Sequence, residues 1–297
     1  MLGGLLARED ELAAVSRTIA GAMDGTGAVL VLEGPAGIGK TAVLEAARES
    51  AQDALVLHAR ASELDRGFGF GLVHQLLDRA ATPELMTGAA AHAGVVLDPA
   101  AGPAEDAGFA VLHGLYWLTA NLADTVPVVL LADDLHWADV PSLRFLEYLA
   151  RRIDGLRVAL IATTRPNEPG AANDLLDELR ASATVMRPRP LDREAAAAML
   201  PADVVDAALE ATGGNPLLLS VLAREVAGTG AVTPEQLAEL GARGVAPTVE
   251  RRLRPLGPDA VAAARAVAVL GERATAEDVA VVAGLVGVAD TGGAAGA

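Results

Sequence analysis

The chain of 297 residues contains no cysteine and only one lysine. Without cysteine it has no disulfide bonds, no thiol chemistry and no cysteine-ligated zinc. The longest apolar run, 279–289, is far shorter than the ~20 residues that span a bilayer. The N-terminus also lacks the basic region and apolar core of a signal peptide. We therefore expect a cytoplasmic protein that does not contact a membrane.

Positive charge is also scarce. The formal net charge is −16 at pH 7, which argues against a broad, non-specific nucleic-acid surface, because such a surface needs a basic stripe. Local arginine groups near 151–157 and 251–254 are more typical of solvated helix faces than of a base-reading element. No DNA-reading domain is evident from these patterns.

The one lysine, Lys40, lies in Gly-Pro-Ala-Gly-Ile-Gly-Lys-Thr at 34–41, which matches the phosphate-binding pattern G-x-x-x-x-G-K-[ST]. An apolar run precedes this loop and a helical pattern follows it, so the loop has the strand–loop–helix context that phosphate binding requires. Lys40 is predicted to reach the β- and γ-phosphates and Thr41 to place its hydroxyl on Mg²⁺. The residues predicted to bind the phosphates are Gly34, Pro35, Ala36, Gly37, Ile38, Gly39, Lys40, Thr41 and Ala42.

A second motif, Val-Val-Leu-Leu-Ala-Asp-Asp at 128–134, is an apolar strand that ends in two carboxylates. Asp133, at the strand tip, is predicted to hold Mg²⁺ directly or through water. Asp134 is predicted to polarise the water that attacks the γ-phosphate. The role of His136, in the Leu-His-Trp-Ala-Asp that follows, stays open between a contact to phosphate or water and a cap of the loop.

A further apolar strand ends in Thr-Thr-Arg-Pro at 163–166. Ligands of open parallel sheets lie at the carboxyl ends of the strands, so this tip is expected beside the phosphates. Guanidinium pairs with phosphate oxygens, and Arg165 is therefore predicted to sense the γ-phosphate. The alternative is an exposed loop arginine.

Strand and helix patterns alternate over most of the chain, which predicts an α/β fold of the P-loop NTPase kind, with three layers and a parallel sheet of about five strands. Residues 81–106, rich in Ala, Gly and Pro, are predicted to be a mobile insert. The predicted domains are a nucleotide-binding domain at 1–190, a helical domain at 191–245, a truncated winged-helix-like module of short helices at 246–290 and a disordered tail at 291–297. The predicted strands lie at 28–32, 54–58, 126–132, 158–162 and 183–187.

With these motifs in order, the chain resembles the STAND class of AAA-type P-loop ATPases, and in detail the N-terminal ATPase region of large ATP-binding LuxR-family transcriptional regulators. The resemblance rests on Gly-Pro-Ala-Gly-Ile-Gly-Lys-Thr, Asp-Asp-Leu-His-Trp-Ala-Asp, Thr-Thr-Arg-Pro and the Gly-Gly-Asn-Pro at 213–216. It implies that Arg8 lies near the nucleotide and that Pro216 touches adenine. It also implies a switch that binds ATP or ADP with Mg²⁺, hydrolyses ATP slowly and self-associates according to the nucleotide bound.

Two departures from that family are visible. Ala7 stands where a glycine is usual before Arg8. The sequence also ends before the sensor repeats and DNA-binding domain of a full regulator, so we expect either a fragment or an ATPase that acts through an unidentified inducer or partner protein.

Other functions remain to be weighed against ATP hydrolysis. A non-enzymatic, ATP-bound interaction scaffold would carry the same motifs, and a small-molecule kinase stays possible. A GTPase is disfavoured because no lysine follows Lys40 to build an Asn-Lys-x-Asp guanine loop. An ABC-type ATPase would need a Leu-Ser-Gly-Gly-Gln signature, which the sequence lacks.

Overall fold

A computed structural model describes residues 5–97, 108–229, 257–270 and 275–284. Five parallel strands form one sheet in the order β2-β3-β4-β1-β5. The strands are β1 Ala28–Glu33, β2 Leu55–Arg60, β3 Val128–Asp133, β4 Val158–Thr164 and β5 Thr184–Met186. The predicted α/β fold with a parallel five-stranded sheet is confirmed.

Helices cover the sheet and continue beyond it. They are α1 Glu9–Met23, α2 Lys40–Ser50, α3 Gly71–Leu77, α4 Gly94–Leu97, α5 Phe109–Thr125, α6 Val140–Ala150, α7 Asn173–Ala181, α8 Arg193–Ala197, α9 Val205–Thr212 and α10 Pro216–Thr229. Short 3-10 helices occupy Glu63–Gly67, Gly88–Ala93 and Leu135–Trp137. Two further helices lie at Pro258–Leu270 and Ala276–Val282.

The sheet is buried on both faces, and this explains the continuous apolar runs of its strands. In β3 all six residues are buried. Successive side chains of a strand point to opposite faces, so Leu130 packs in the core beneath α3, α5 and α6, whereas Leu131 packs in the core beneath α1 and α2. Two hydrophobic cores on either side of one sheet give the three layers.

The stretch predicted to be a mobile insert is partly ordered. Within 81–97, Ala90 and Ala93 are fully buried against the core that contains α5. Gly114 of α5 permits this contact, because a Cβ there would lie 2.5 Å from the backbone nitrogen of Ala93. A glycine in α5 thus allows this stretch to pack, and the amino-acid composition of 81–106 does not indicate that contact. Residues 98–107 lie outside the described part of the chain.

The chain divides into two compact units. The first comprises Met1–Ala195 with Asn215–Leu217, and the second comprises Ala196–Gly214 with Leu218–Ala297. Residues 230–256, which include the end of the predicted helical domain, and the predicted tail at 291–297 lie outside the described residues. A capping box at Thr275 starts the helix Ala276–Val282. In the described part of the chain, no helix is both long and apolar enough to span a membrane.

Candidate active site

The loop between β1 and α2 is wrapped around the ammonium of Lys40. Its Nζ donates to the carbonyl oxygens of Gly34 at 2.7 Å and Pro35 at 2.9 Å, and the side chain is buried. Gly37 and Gly39 have left-handed φ values of +78° and +100°, which glycine adopts without a steric penalty. The loop therefore has the backbone curl that a phosphate-binding loop needs, and Lys40 begins the helix behind it.

Residues Asn215–Leu217 of the first unit lie directly on this loop. The Asn215 side-chain amide donates to the Ala36 carbonyl at 3.0 Å, and the Leu217 backbone N–H donates to the Gly37 carbonyl at 3.2 Å. A Cβ at Gly37 would stand 2.7 Å from Asn215 Oδ1. Pro216, predicted to contact the base, lies between these two hydrogen-bonded residues. Asn215 therefore does more than precede a helix, since its side chain binds the phosphate loop.

Arg8 also contacts the phosphate loop. Its Nη2 donates to the Ile38 carbonyl at 2.8 Å, its side chain is buried, and Glu11 Oε1 lies 3.8 Å from Nη1. Ala7 has a φ of +51°. Left-handed backbone costs an alanine roughly 1 kcal/mol, a cost that a glycine at this position would avoid.

The predicted metal ligands meet at the carboxyl ends of the strands. The Thr41 hydroxyl donates to Asp133 Oδ2 at 3.0 Å, and the Thr163 hydroxyl donates to Asp133 Oδ1 at 2.6 Å. β4 lies between β1 and β3, so Thr163 holds the carboxylate from the intervening strand. A hydroxyl and a carboxylate are oxygen ligands that suit Mg²⁺, whose other ligands would be phosphate oxygens and water. Thr41 and Asp133 therefore fit the predicted ion.

Asp134 follows β3 in a left-handed conformation with a φ of +58°, and its backbone N–H donates to the Thr163 hydroxyl at 2.8 Å. Burial, and then the negative charge of Asp133, raise the pKa of Asp134. The positive charges of Arg165 and Arg60 partly offset this rise in the pKa. Environments of this kind make a carboxylate a better proton acceptor, as the predicted role of Asp134 requires.

Arg165 and His136 both lie close to Asp134. Arg165, at the end of β4, contacts Glu168 with 3.7 Å between Nη1 and Oε2, and its side chain is largely buried. It is therefore not the exposed loop arginine of the alternative interpretation. The fully buried His136 has its Nε2 3.8 Å from Asp134 Oδ1. Ala42 is exposed in the first turn of α2.

Sequence reasoning missed Arg60, the last residue of β2. Its Nη2 donates to Asp134 Oδ2 at 3.2 Å, and its Nε lies 3.7 Å from Asp133 Oδ2. Arg60 pairs in register with Asp133 across the two strands. The predicted strand ended at 58, two residues early, so Arg60 was not placed at the end of β2.

Asp139 was also missed. It caps the N-terminus of α6 by accepting from the Ser142 N–H at 2.8 Å, and it accepts from the N–H groups of Phe70 at 2.7 Å and Leu72 at 3.3 Å. Phe70 has a left-handed φ of +61° and is fully buried. A buried carboxylate with three amide donors thus fixes the start of α3 to the segment that follows the two catalytic carboxylate candidates.

Comparison with known proteins matches the profile of the AAA ATPase domain to residues 4–161, just over half of the chain. The chain belongs to the AAA ATPase domain family. As an AAA-type ATPase domain it carries the phosphate loop, the two carboxylates and Arg165 on one unit of the structure. The match ends within β4, so Arg165, β5 and the helical region that follows the sheet lie outside it.

Solved structures share the fold of this AAA domain. A Walker-type ATPase of Pyrococcus abyssi is 17% identical with a TM-score of 0.57, over 94% of this chain and 88% of that one. Cdc6p of Pyrobaculum aerophilum is 16% identical with a TM-score of 0.51, over 96% of this chain and 80% of that one. At these identities the likeness concerns the fold alone.

One curated relative is much longer. An uncharacterised protein of Rhizobium meliloti (strain 1021) is 27% identical over 93% of this AAA domain chain. The chain spans 30% of the length of that relative.

Proposed function

We propose that the chain is an ATP-binding and slowly ATP-hydrolysing switch module of the STAND class, of the kind found in LuxR-type transcriptional regulators. The observation that carries the proposal is the direct hydrogen bonding of Asn215 and Leu217 to the carbonyls of the phosphate loop. A loop that both binds phosphates and holds Asn215–Leu217 makes the position of that segment depend on the nucleotide. Binding of ATP or of ADP, each with Mg²⁺, then determines the position of Asn215–Leu217.

Each predicted site residue has a part in this proposal. Lys40 leaves the Gly34 and Pro35 carbonyls for the β- and γ-phosphates, whose charge it neutralises. Thr41 and Asp133 would hold Mg²⁺, which would neutralise part of the negative charge on the phosphates. The backbone N–H groups of 36–42 surround the phosphates, whereas Arg8 and Pro216 lie toward the base.

Hydrolysis needs a polarised water and a stabilised γ-phosphate. Asp134 accepts a proton from the water, and Arg165 pairs with the γ-phosphate oxygens as negative charge develops on them. The attack is in line with the bond that breaks, so most of the catalysis is positioning and electrostatics. The phosphate released carries the oxygen of the attacking water.

The full protein's partners follow from the same proposal. We expect nucleotide-dependent self-association and an inducer or partner protein outside this chain. Gene regulation would also require a DNA-binding domain, and the sequence patterns of this chain do not indicate one.

The first experiment is to purify the chain, denature it and identify any released nucleotide by chromatography, with Lys40→Ala as the matched variant. About one ADP or ATP per wild-type chain and none in the variant supports an adenine-nucleotide switch. A wild-type protein that is empty and also fails to bind added Mg-ATP contradicts the proposal.

A non-enzymatic scaffold remains the second candidate, and one contact favours it. Arg60 occupies an oxygen of Asp134, the group that hydrolysis needs. Phosphate release in a single turnover separates the two functions: retained ATP and no phosphate over hours favours the scaffold, whereas conversion to ADP favours the hydrolysing switch.

A further inference from the structure

Two loops carry the groups assigned to hydrolysis, and one arginine outside both loops joins them. The first loop follows β3 and contains Asp134 and His136; the second follows β4 and contains Arg165 and Pro169. Arg66, in the 3-10 helix Glu63–Gly67, donates through Nη2 to the His136 carbonyl at 3.0 Å and the Pro169 carbonyl at 3.1 Å. One terminal nitrogen thus bridges two loops that come from different strands.

The guanidinium of Arg66 is oriented by an aromatic ring. Its carbon Cζ lies 4.3 Å from the centroid of Trp137, a contact of cation–π type. Trp137 itself packs against the hydrophobic core, and this packing restricts the movement of its ring. A lysine could supply charge here but neither a flat face for the ring nor a rigid fork.

Gly170 provides the space for this guanidinium. A Cβ at that position would stand 2.5 Å from Arg66 Nη1, and the residue has a left-handed φ of +74°. The second loop is therefore shaped closely around the arginine. The guanidinium of Arg66 therefore packs between the ring of Trp137 and the backbone of Gly170, which belong to two other segments of the chain.

We propose that Arg66 is a positioning residue for ATP hydrolysis that holds Asp134 and Arg165 in a fixed relation to each other. The inference rests on the proposed function, since Arg66 acts only through the loops. Asp134 must face a water and Arg165 the γ-phosphate at the same moment, and errors near 1 Å cost on the order of 100-fold in rate. Without the bridge, the two loops lose their common tether and move independently.

The test compares Arg66→Ala with wild type and with Arg79→Ala, which removes an exposed arginine just after α3. We expect kcat for ATP to fall at least about tenfold in Arg66→Ala, with the Kd for Mg-ATP within about threefold. Added methylguanidinium should restore part of kcat, which it cannot do for a merely misfolded protein. Arg79→Ala should match wild type. A kcat of Arg66→Ala within twofold of wild type overturns the proposal.

Gly170→Ala tests the same contact from the opposite loop and serves if Arg66→Ala does not fold. It should lower kcat selectively, and the double variant Arg66→Ala/Gly170→Ala should be no slower than the worse single variant, because both changes break one bridge. Arg66→Lys should also lose most of kcat. Additive losses in the double variant, or full activity of Gly170→Ala, argue against the bridge.

Amide hydrogen exchange distinguishes this inference from the proposed function. In Arg66→Ala the amides of 134–138 and the non-proline amides of 165–170 should exchange at least about tenfold faster, while those of β1 keep their wild-type rates. If wild type hydrolyses no ATP, the proposed hydrolysis is wrong. The exchange rates alone then test whether Arg66 holds the two loops in place. Unchanged exchange in both loops means that Arg66 does not position them.

Discussion

Arg60 and Asp134 form an ion pair at the tips of neighbouring strands, with 3.2 Å between Nη2 and Oδ2. The arginine side chain is 63% exposed and the aspartate side chain 11% exposed. The pair therefore joins an exposed cation to a largely buried carboxylate, and burial of that carboxylate raises its pKa. Arg60 occupies one carboxylate oxygen of Asp134. We therefore expect the ion pair to slow the proposed transfer of a proton from water to Asp134.

Replacing Arg60 with Gln frees Asp134, and we expect basal ATP hydrolysis at pH 8 to rise about threefold to tenfold. The positive charge of Arg60 lowers the pKa of Asp134, so its loss raises that pKa further. Asp134 must be ionised to accept a proton, and the acid-side loss of activity should move to higher pH. A pH–rate profile of wild type and Arg60→Gln measures both effects. Arg79→Gln is the control, and an unmoved or lowered acid limb contradicts the pairing.

Asp134→Asn should bind Mg-ATP with wild-type affinity and lose hydrolysis by at least about 100-fold, because an amide cannot accept the proton of water. Asparagine tolerates the left-handed φ of +58°, so the loop keeps its shape. Isothermal titration with Mg-ATP and a phosphate-release assay separate the two steps. Normal turnover in this variant would show that another group activates the water.

The same variant should be more stable than wild type at pH 8. The pKa of Asp134 is raised in the folded protein, so the folded state binds the proton more tightly than the unfolded state. Stability therefore falls as pH rises through the interval above the ordinary aspartate pKa, and the loss persists at higher pH. Asparagine carries no charge and avoids the loss. We expect a Tm about 2 °C higher for Asp134→Asn at pH 8, with the gain shrinking toward pH 4.

Asp139→Ala should lower the free energy of unfolding by about 3 kcal/mol, since it leaves a helix cap and two further buried N–H groups without their acceptor. Urea unfolding with an unchanged m-value measures the loss. Asp154→Ala, at an exposed turn, is the matched control and should change stability by less than about 0.5 kcal/mol. Equal effects of the two variants would mean that the carboxylate of Asp139 does not join α3 to α6.

Asn215→Ala should release bound ADP about tenfold faster than wild type. The change removes the hydrogen bond from the Asn215 amide to the Ala36 carbonyl, a loss near 1–1.5 kcal/mol for one such bond. Stopped-flow displacement of a fluorescent ADP analogue measures the rate. Asn173→Ala, an exposed asparagine at the start of α7, is the control. An unchanged release rate would separate the Gly-Gly-Asn-Pro segment from nucleotide binding.

Local patterns predicted the sheet strands well because each buried strand is a short apolar run bounded by turns. The phosphate loop and the Asp133–Asp134 pair were recognisable for a similar reason: their spacing is fixed within a single strand–loop segment. The partners of these residues were not recognisable. Arg60 is 74 positions from Asp134, and Asp139 is 69 positions from Phe70, and no local pattern specifies such contacts.

The sequence by itself determined that the chain is an α/β protein with a phosphate loop, and that two carboxylates follow an apolar strand. Only the tertiary structure decided that β4 lies between β1 and β3, which places Thr163 on Asp133, and that β2 pairs with β3, which brings Arg60 to Asp134. It likewise placed Arg66 between two loops and Asn215 on the phosphate loop. The physical reason is that strand order and loop packing are set by the burial of whole faces, whereas a motif needs only its neighbours along the chain.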